Sequence, residues 1–258
     1  MGTVAKALSL MTLFSHKRRE IGLSEVARLS GLNKATAYRL LTDLQDQGYV
    51  EQTQARTYRL GPEVLRLAAL REATVPLLAV SREVLDRLAN DLHETAHMSL
   101  VQGQQLNALA HSYSARHGTR VMMEDSETLS FHATSSGLSV LAFSDPSFVD
   151  ALLAQPLEAF TERTRTDPAL IRAALTEIRA SGLAESIGGF EADVHSLAAP
   201  LFGPDARPIG ALAIAVPLMR MTDALRARIR EVLPDAAADL TRRTGGFRPP
   251  DFPSIHAA

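Results

Sequence analysis

Residues 23–60, LSEVARLSGLNKATAYRLLTDLQDQGYVEQTQARTYRL, decide how the rest of the chain is read. Ser24 suits an N-cap, Glu25 follows in the first turn, and Val26, Ala27 and Leu29 give a short helix an apolar face before Gly31 stops it. After the turn Gly31-Leu32, Asn33 offers a second N-cap, and Ala37, Leu40, Leu41 and Leu44 recur at i, i+3, i+4 and i+7. The second helix therefore buries one stripe and leaves Lys34, Thr36, Tyr38 and Arg39 on its leading end and other face. These supply a charge for phosphate, a hydroxyl, an amphipathic ring and a two-point donor suited to guanine or phosphate. Gly48 ends the helix, and residues 49–52 and 57–60 read as two strands around the polar tip Thr53-Gln54-Ala55-Arg56. Two helices followed by such a hairpin spell a winged helix-turn-helix, a shape whose main use is to set one helix in the DNA major groove.

A net charge of −2 looks unpromising for a DNA binder until it is divided along the chain. Residues 1–60 carry nine lysines and arginines against five acids, and the remaining 198 carry eighteen against twenty-four. The basic excess sits where DNA contact is expected, and phosphate contacts dominate affinity. His16-Lys17-Arg18-Arg19 belongs to that excess, either as a phosphate contact or as a solvated loop.

The full 258 residues, 46% hydrophobic and 22% charged, suit one large or two ordinary globular domains. No run of about 18 apolar residues and no secretory apolar core at the start point to a membrane span or export, so a cytoplasmic location is expected. The lack of cysteine excludes disulfides, thiolate metal sites and a cysteine nucleophile.

The stretch "LSEVARLSGLNKATAYRLLTDLQDQGYVEQ", followed by "TYRLGPEVLRLA" and preceded by "TVAKALSLMTLF", resembles the N-terminal domain of the IclR-type bacterial transcription regulators. Residues 129–143, "LSFHATSSGLSVLAF", resemble a helix opening in that family's effector domain. "LTEIRASGLAESIGGFEADVHSLAAPLF" and "IGALAIAVP" resemble its last strands. The resemblance covers almost the whole chain. It implies an α+β protein with an N-terminal winged helix-turn-helix domain over 1–61, a linker helix over 62–76 that contributes to dimerisation, and a GAF-like effector-binding domain over 77–246. The Gly- and Pro-rich tail 247–258 is expected to be poorly ordered.

Within the second domain, Leu77, Val80, Val84, Leu85 and Leu88 place a helix near 77–92. Strands are expected near 98–101, 106–110, 120–123, 194–202 and 209–216, with helices near 135–143, from Asp167-Pro168 onward, and near 222–242. His93-Glu94-Thr95-Ala96-His97 fits the H-E-x-x-H pattern of zinc hydrolases, which needs one helix through both histidines. The residues after Thr95 read as a strand, so the two rings would not converge, and no metal site and no cofactor is expected.

Thr134, Ser135, Ser136 and Gly137 open a helix whose free N–H groups would receive a carboxylate, although Thr134 also suits a plain cap. The resemblance adds Ser186, Ser196, Ala213 and Ala215 as pocket residues. Many relatives carry an acid at the place of Ser186, an Arg-Cys pair at His195-Ser196, and hydroxyls near Ala213 and Ala215. Fewer polar groups suit a larger or partly aromatic acid, with Met98, Met122 and Phe131 as further walls. The expected DNA contacts are Ser24, Lys34, Thr36, Tyr38, Arg39 and Arg56. The expected partners are double-stranded DNA with a palindromic or pseudo-palindromic site, a small carboxylate effector, and a second copy of the chain as dimer or tetramer. Two other readings compete: a winged-helix adaptor that docks proteins, and the zinc hydrolase. The polar and basic leading end of the second helix argues against the adaptor, which would show apolar anchors there.

Overall fold

The computed structural model describes residues 2–14, 18–74, 77–123 and 127–253, with the side chains of 71–74 excepted. The chain divides into two compact units, Met1–Pro76 and Leu77–Ala258.

The first unit runs α1 (Thr3–Met11), β1 (Ile21–Gly22), α2 (Leu23–Ser30), α3 (Lys34–Asp46), β2 (Val50–Gln52), β3 (Thr57–Leu60) and α4 (Pro62–Thr74). Its core is Leu10, Ile21, Val26, Ala37, Leu40, Leu41, Val50 and Tyr58, all buried. The apolar spacing of residues 37–41 is thus met by partners from α1, α2 and the hairpin. Asn33 Oδ1 accepts from the Thr36 N–H at 2.8 Å, capping α3, and Gly31 closes α2 in the left-handed region at φ +69°. The expected cap at Ser24 is corrected: α2 begins two residues earlier, with extended Gly22 in the cap position and no side-chain bond. The cause is β1, absent from the sequence expectation, which pairs Ile21 and Gly22 with Tyr58 and Thr57 and leads directly into the helix. The three strands lie antiparallel in the order β1-β3-β2.

The second unit contains α5 (Leu77–Leu92), β4 (Thr95–Gln102), β5 (Gln105–Ser112), β6 (Thr128–Leu129), α6 (Ser135–Phe143), α7 (Pro146–Leu153), α8 (Pro168–Ser181), β7 (Ala184–Ile187), β8 (Val194–Phe202), β9 (Pro208–Pro217) and α9 (Asp223–Arg243). The strands form one antiparallel sheet in the order β6-β5-β4-β9-β8-β7. Successive residues of β4 show its two faces: the Ser81 hydroxyl of α5 reaches Met98 Sδ at 3.0 Å, and the Ser136 hydroxyl of α6 meets His97 Nε2 at 3.3 Å. Helices α5 and α9 therefore cover one side, and α6, backed by α8, covers the other. Burial on both sides explains why β8 and β9 read as nearly continuous apolar runs.

Several expectations are revised. No strand forms over 120–123; side chains hold that segment, with the Thr95 hydroxyl donating to the Val121 carbonyl at 2.8 Å and the Tyr113 hydroxyl bonded to the Met123 backbone. Helix α7, opened by Asp145-Pro146, and strand β7 were not foreseen. The first part of the tail is not loose: Phe252 lies against Phe143 and Phe202, and Arg248 donates to the Pro234 carbonyl at 2.5 Å. Aromatic burial outweighs the chain freedom that Gly and Pro suggested. Residues 254–258 lie outside the described residues.

The H-E-x-x-H pattern is broken in the middle. Helix α5 stops at Leu92, His93 takes the left-handed region at φ +60°, and His97 sits on β4. Glu94 is held by Arg220, with two bonds of 2.6 Å to its two oxygens. Among the described residues no three His, Asp or Glu side chains converge as metal ligands, and no helix is long and apolar enough to cross a membrane.

Candidate functional site

Two places stand out, one in each unit. In the first, the burial of Ala37, Leu40 and Leu41 turns Lys34, Tyr38 and Arg39 outward. Tyr38 leaves 54% of its surface open, unusual for a ring that has an adjacent core available to it. Among the described residues Lys34 and Arg39 enter no ion pair, so Asp43, one turn beyond Arg39, does not neutralise it. Thr36 is half-buried and its N–H is spent on Asn33. Ser24 is exposed on the first turn of α2. Arg56 caps the wing in the left-handed region at φ +59°, and its N–H donates to the Thr53 carbonyl at 3.0 Å. The Thr53 and Thr57 hydroxyls lie 2.7 Å apart, and Thr57 donates to Glu20 at 2.6 Å, so the wing is braced at its base. His16 and Lys17 lie outside the described residues, and Arg18 and Arg19 are exposed.

In the second unit a pocket opens at the start of α6. Thr134, Ser135, Ser136, Ser186, Ser196 and Ala215 line it together, although they come from four separate elements. Thr134 Oγ1 accepts from the Gly137 N–H at 2.9 Å and donates to the Ser130 carbonyl at 2.7 Å, a true cap. Ser135 donates to Ser196 at 2.8 Å, and Ser186 donates to the Ala133 carbonyl at 2.7 Å. The remaining walls are largely apolar: Val121, Met123, Leu129, Phe190 and Val194. Among the described residues Glu127 and Glu191 are its charged side chains, and no lysine or arginine lines it. Partial burial, then Glu127 and Asp193, push the Glu191 carboxyl above its ordinary value. The enclosed space is about 40 Å³, enough for roughly three waters.

The other five expected residues lie elsewhere. Met98 points to the α5 side of the sheet, because the pleat that turns His97 inward turns its neighbour outward. Met122 is 61% exposed, and its place is taken by Met123. Phe131 stacks edge-on against Phe148 at 5.5 Å, and Ala213 is core beneath α6. Gly137 serves close packing: a Cβ there would lie 2.4 Å from both the Phe131 Cα and the Ser130 carbonyl oxygen.

His97 was missed as a pocket residue because the H-E-x-x-H pattern drew it towards metal chemistry; strand alternation from Met98 was the signal that would have found it. Its Nδ1 is buried without a hydrogen-bond partner. Burial first, and His111 second, push its pKa down to about 4. The ring is therefore neutral at pH 7 and gives or takes a hydrogen bond without adding charge. The unfolded chain takes up this proton near pH 6.5 whereas the folded chain refuses it until about 4, so stability is lost as pH falls through that window. The limit is about 3 kcal/mol, at 1.36 kcal/mol per unit. Thermal midpoints at pH 7.5 and 4.5 should fall further in the parent than in His97→Gln; equal falls would contradict this account.

The "IclR helix-turn-helix domain" model matches residues 3–54, and the "Bacterial transcriptional regulator IclR C-terminal" model matches 71–242. The glycerol operon regulatory protein of Streptomyces coelicolor is 30% identical over 249 residues, covering 95% of this chain and 97% of its own. A solved IclR transcriptional regulator from Silicibacter sp. TM1040 is 60% identical with a TM-score of 0.82, covering 98% of this chain and 100% of its own. An IclR homologue from Microbacterium hydrocarbonoxydans, solved in complex with 4-hydroxybenzoate, is 23% identical with a TM-score of 0.59, covering 94% and 99%.

Proposed function

This chain belongs to the IclR family of bacterial transcription regulators, and from that premise we propose which residues read DNA and which receive the effector. It is a ligand-responsive, DNA-binding regulator of the kind that controls catabolic operons. The reading face is the outer side of α3, with Arg39 as the base-contacting fork, Lys34 on phosphate and Tyr38 stacked along the groove wall. Thr36 and Ser24 approach the backbone, and Arg56 carries the wing towards the minor groove. The supporting observation is that two cations without ion pairs among the described residues and an open ring share the face opposite a fully buried stripe.

A winged helix covers one half-site, so two copies are required for a palindromic operator. Val4 and Leu8 of α1, 72% and 59% exposed, and Leu65 of α4, 74% exposed, are apolar surface in the first unit that self-association would bury.

The effector is an organic acid with one carboxylate, seated carboxylate-first at the opening of α6 against Ser135, Ser136, Ser196 and His97. The observation that carries this reading is the convergence of those groups at a helix N-terminus, with His97 Nε2 3.3 Å from the Ser136 hydroxyl. A pocket without a cation holds a single negative charge by hydroxyl and N–H groups alone, and would not repay the lost hydration of a di- or tricarboxylate. The apolar walls suit a ring, which is also the size of acid in the Microbacterium complex. About 40 Å³ is too little for a ring, so binding must spread the walls that lie outside regular elements, around Met123 and Phe190. That displacement is the event an effector selects, shifting the population of DNA-competent chains. A thermal-shift screen of monocarboxylates should show stabilisation by benzoate-sized acids that is lost in Ser136→Ala with His97→Leu. Stabilisation by two- and three-carbon acids alone would overturn the size assignment.

A further inference from the structure

We propose that the cleft between α8, β7, α9 and the loop 160–166 is a second ligand site, for a small molecule bearing a phosphate monoester. It shares Ser186 and Gly189 with the effector pocket as a common wall but opens separately, and it is far roomier at about 510 Å³, within the range of metabolite sites. Its character is also opposite. Among the described residues no lysine or arginine lines the effector pocket, whereas Arg163, Arg165, Arg226 and Arg230 all line this cleft, against the carboxylates of Glu177 and Glu185.

The local ion pairing leaves charge to spare. Arg226 grips both oxygens of Glu185 at 2.6 Å, Arg230 reaches the same carboxylate at 3.4 Å, and His195 Nε2 also meets it at 2.6 Å. One carboxylate thus serves two guanidinium groups. Arg163 and Arg165 enter no ion pair among the described residues. Four guanidiniums facing two carboxylates leave two positive charges, which a phosphate monoester, at about −1.5 to −2 near neutral pH, neutralises. Planar guanidinium forks match its oxygens in pairs.

The loop that carries the two unpaired arginines is held in place before any ligand arrives. The Thr161 hydroxyl donates to the Gly188 carbonyl at 2.5 Å, and the Thr164 hydroxyl donates to the Gly189 carbonyl at 2.7 Å while accepting from the Thr161 N–H at 2.8 Å. The Arg163 stem passes directly over Gly188, where a Cβ would lie 3.0 Å from its Cδ and where φ is +65°. A side chain at 188 would push the arginine out of the cleft. Such preorganisation lowers the ordering cost of binding.

The test uses the full chain and sn-glycerol 3-phosphate, with glycerol and chloride at matched ionic strength as references. Calorimetric titration should give saturable binding of the phosphate ester that Arg163→Gln/Arg165→Gln weakens at least tenfold and Arg116→Gln, at an exposed arginine that does not line the cleft, leaves unchanged. Inorganic phosphate should compete. Heat no different from matched chloride, or equal affinity in the double variant, would overturn the proposal. So would a change of oligomeric state in the double variant without phosphate binding, which would mean that acidic side chains of a second copy fill the cleft. Benzoate stabilisation measured on the same variants reports the effector pocket separately, so failure of either site leaves the other standing.

Discussion

Lys34→Ala combined with Arg39→Ala is expected to abolish recognition of the operator while leaving the thermal midpoint of the protein unchanged. Both side chains are exposed, and neither enters an ion pair among the described residues, so the fold loses nothing of consequence. A base-contacting arginine contributes about 1–3 kcal/mol, which is roughly 5- to 150-fold in affinity, and a dimer loses it at both half-sites. The two residues are separable. Arg39→Ala alone should relax sequence preference at one position of each half-site, whereas Lys34→Ala alone should weaken all sequences alike and lower the slope of log affinity against log salt by about one for each chain bound. Gel-shift titrations with operator DNA selected from the genome at two salt concentrations measure both. Unchanged affinity in the double variant would remove α3 as the reading helix.

Arg220→Met should destabilise the effector domain by about 3–5 kcal/mol. Glu94 keeps only 2% of its side chain exposed and depends on Arg220 for bonds to both oxygens. Taking the arginine away strands a buried carboxylate, which costs more than the pair itself contributes. For a domain of this size the midpoint should drop by roughly 10 °C. Glu94→Gln/Arg220→Met should regain much of that loss, since the buried charge is gone; a double variant as unstable as the single would assign the effect to packing instead. The same arginine donates to the Thr119 carbonyl at 2.9 Å and so pins the irregular segment leading to Val121 and Met123, two walls of the pocket. Benzoate-sized acids should therefore bind Arg220→Met more weakly even below its midpoint.

The reading unit was nearly complete in the sequence because its signals are local. Asn33 caps the helix it precedes, Gly31 ends the one before, and the stripe Ala37, Leu40, Leu41 repeats within two turns. The misplaced start of α2 came from Ile21 and Gly22 pairing with a strand some 36 residues later, an event no local window contains. The effector pocket was legible in part for the same reason. Thr134, Ser135 and Ser136 announce a helix opening by themselves, and the family resemblance supplied Ser186, Ser196 and Ala215. His97, Val121 and Phe190 were not foreseen, since their presence depends on which way a strand or an irregular segment turns when it packs. Met98 and Met122 failed by one residue each, the smallest error that reverses a side chain.

What the amino acids alone determined, then, is the class of the molecule: a winged helix-turn-helix followed by a sheet-and-helix domain. Caps, periodicity and charge act within a few residues, where near neighbours along the chain are neighbours in space. What only the tertiary structure decided is the company each polar group keeps. Glu94 became the partner of Arg220, 126 residues away, and not a catalytic base; His97 became a neutral pocket wall; and four arginines from two separate segments came to face one cleft. Burial and charge pairing across such separations follow from how strands and helices stack, and each changes what a side chain is able to do.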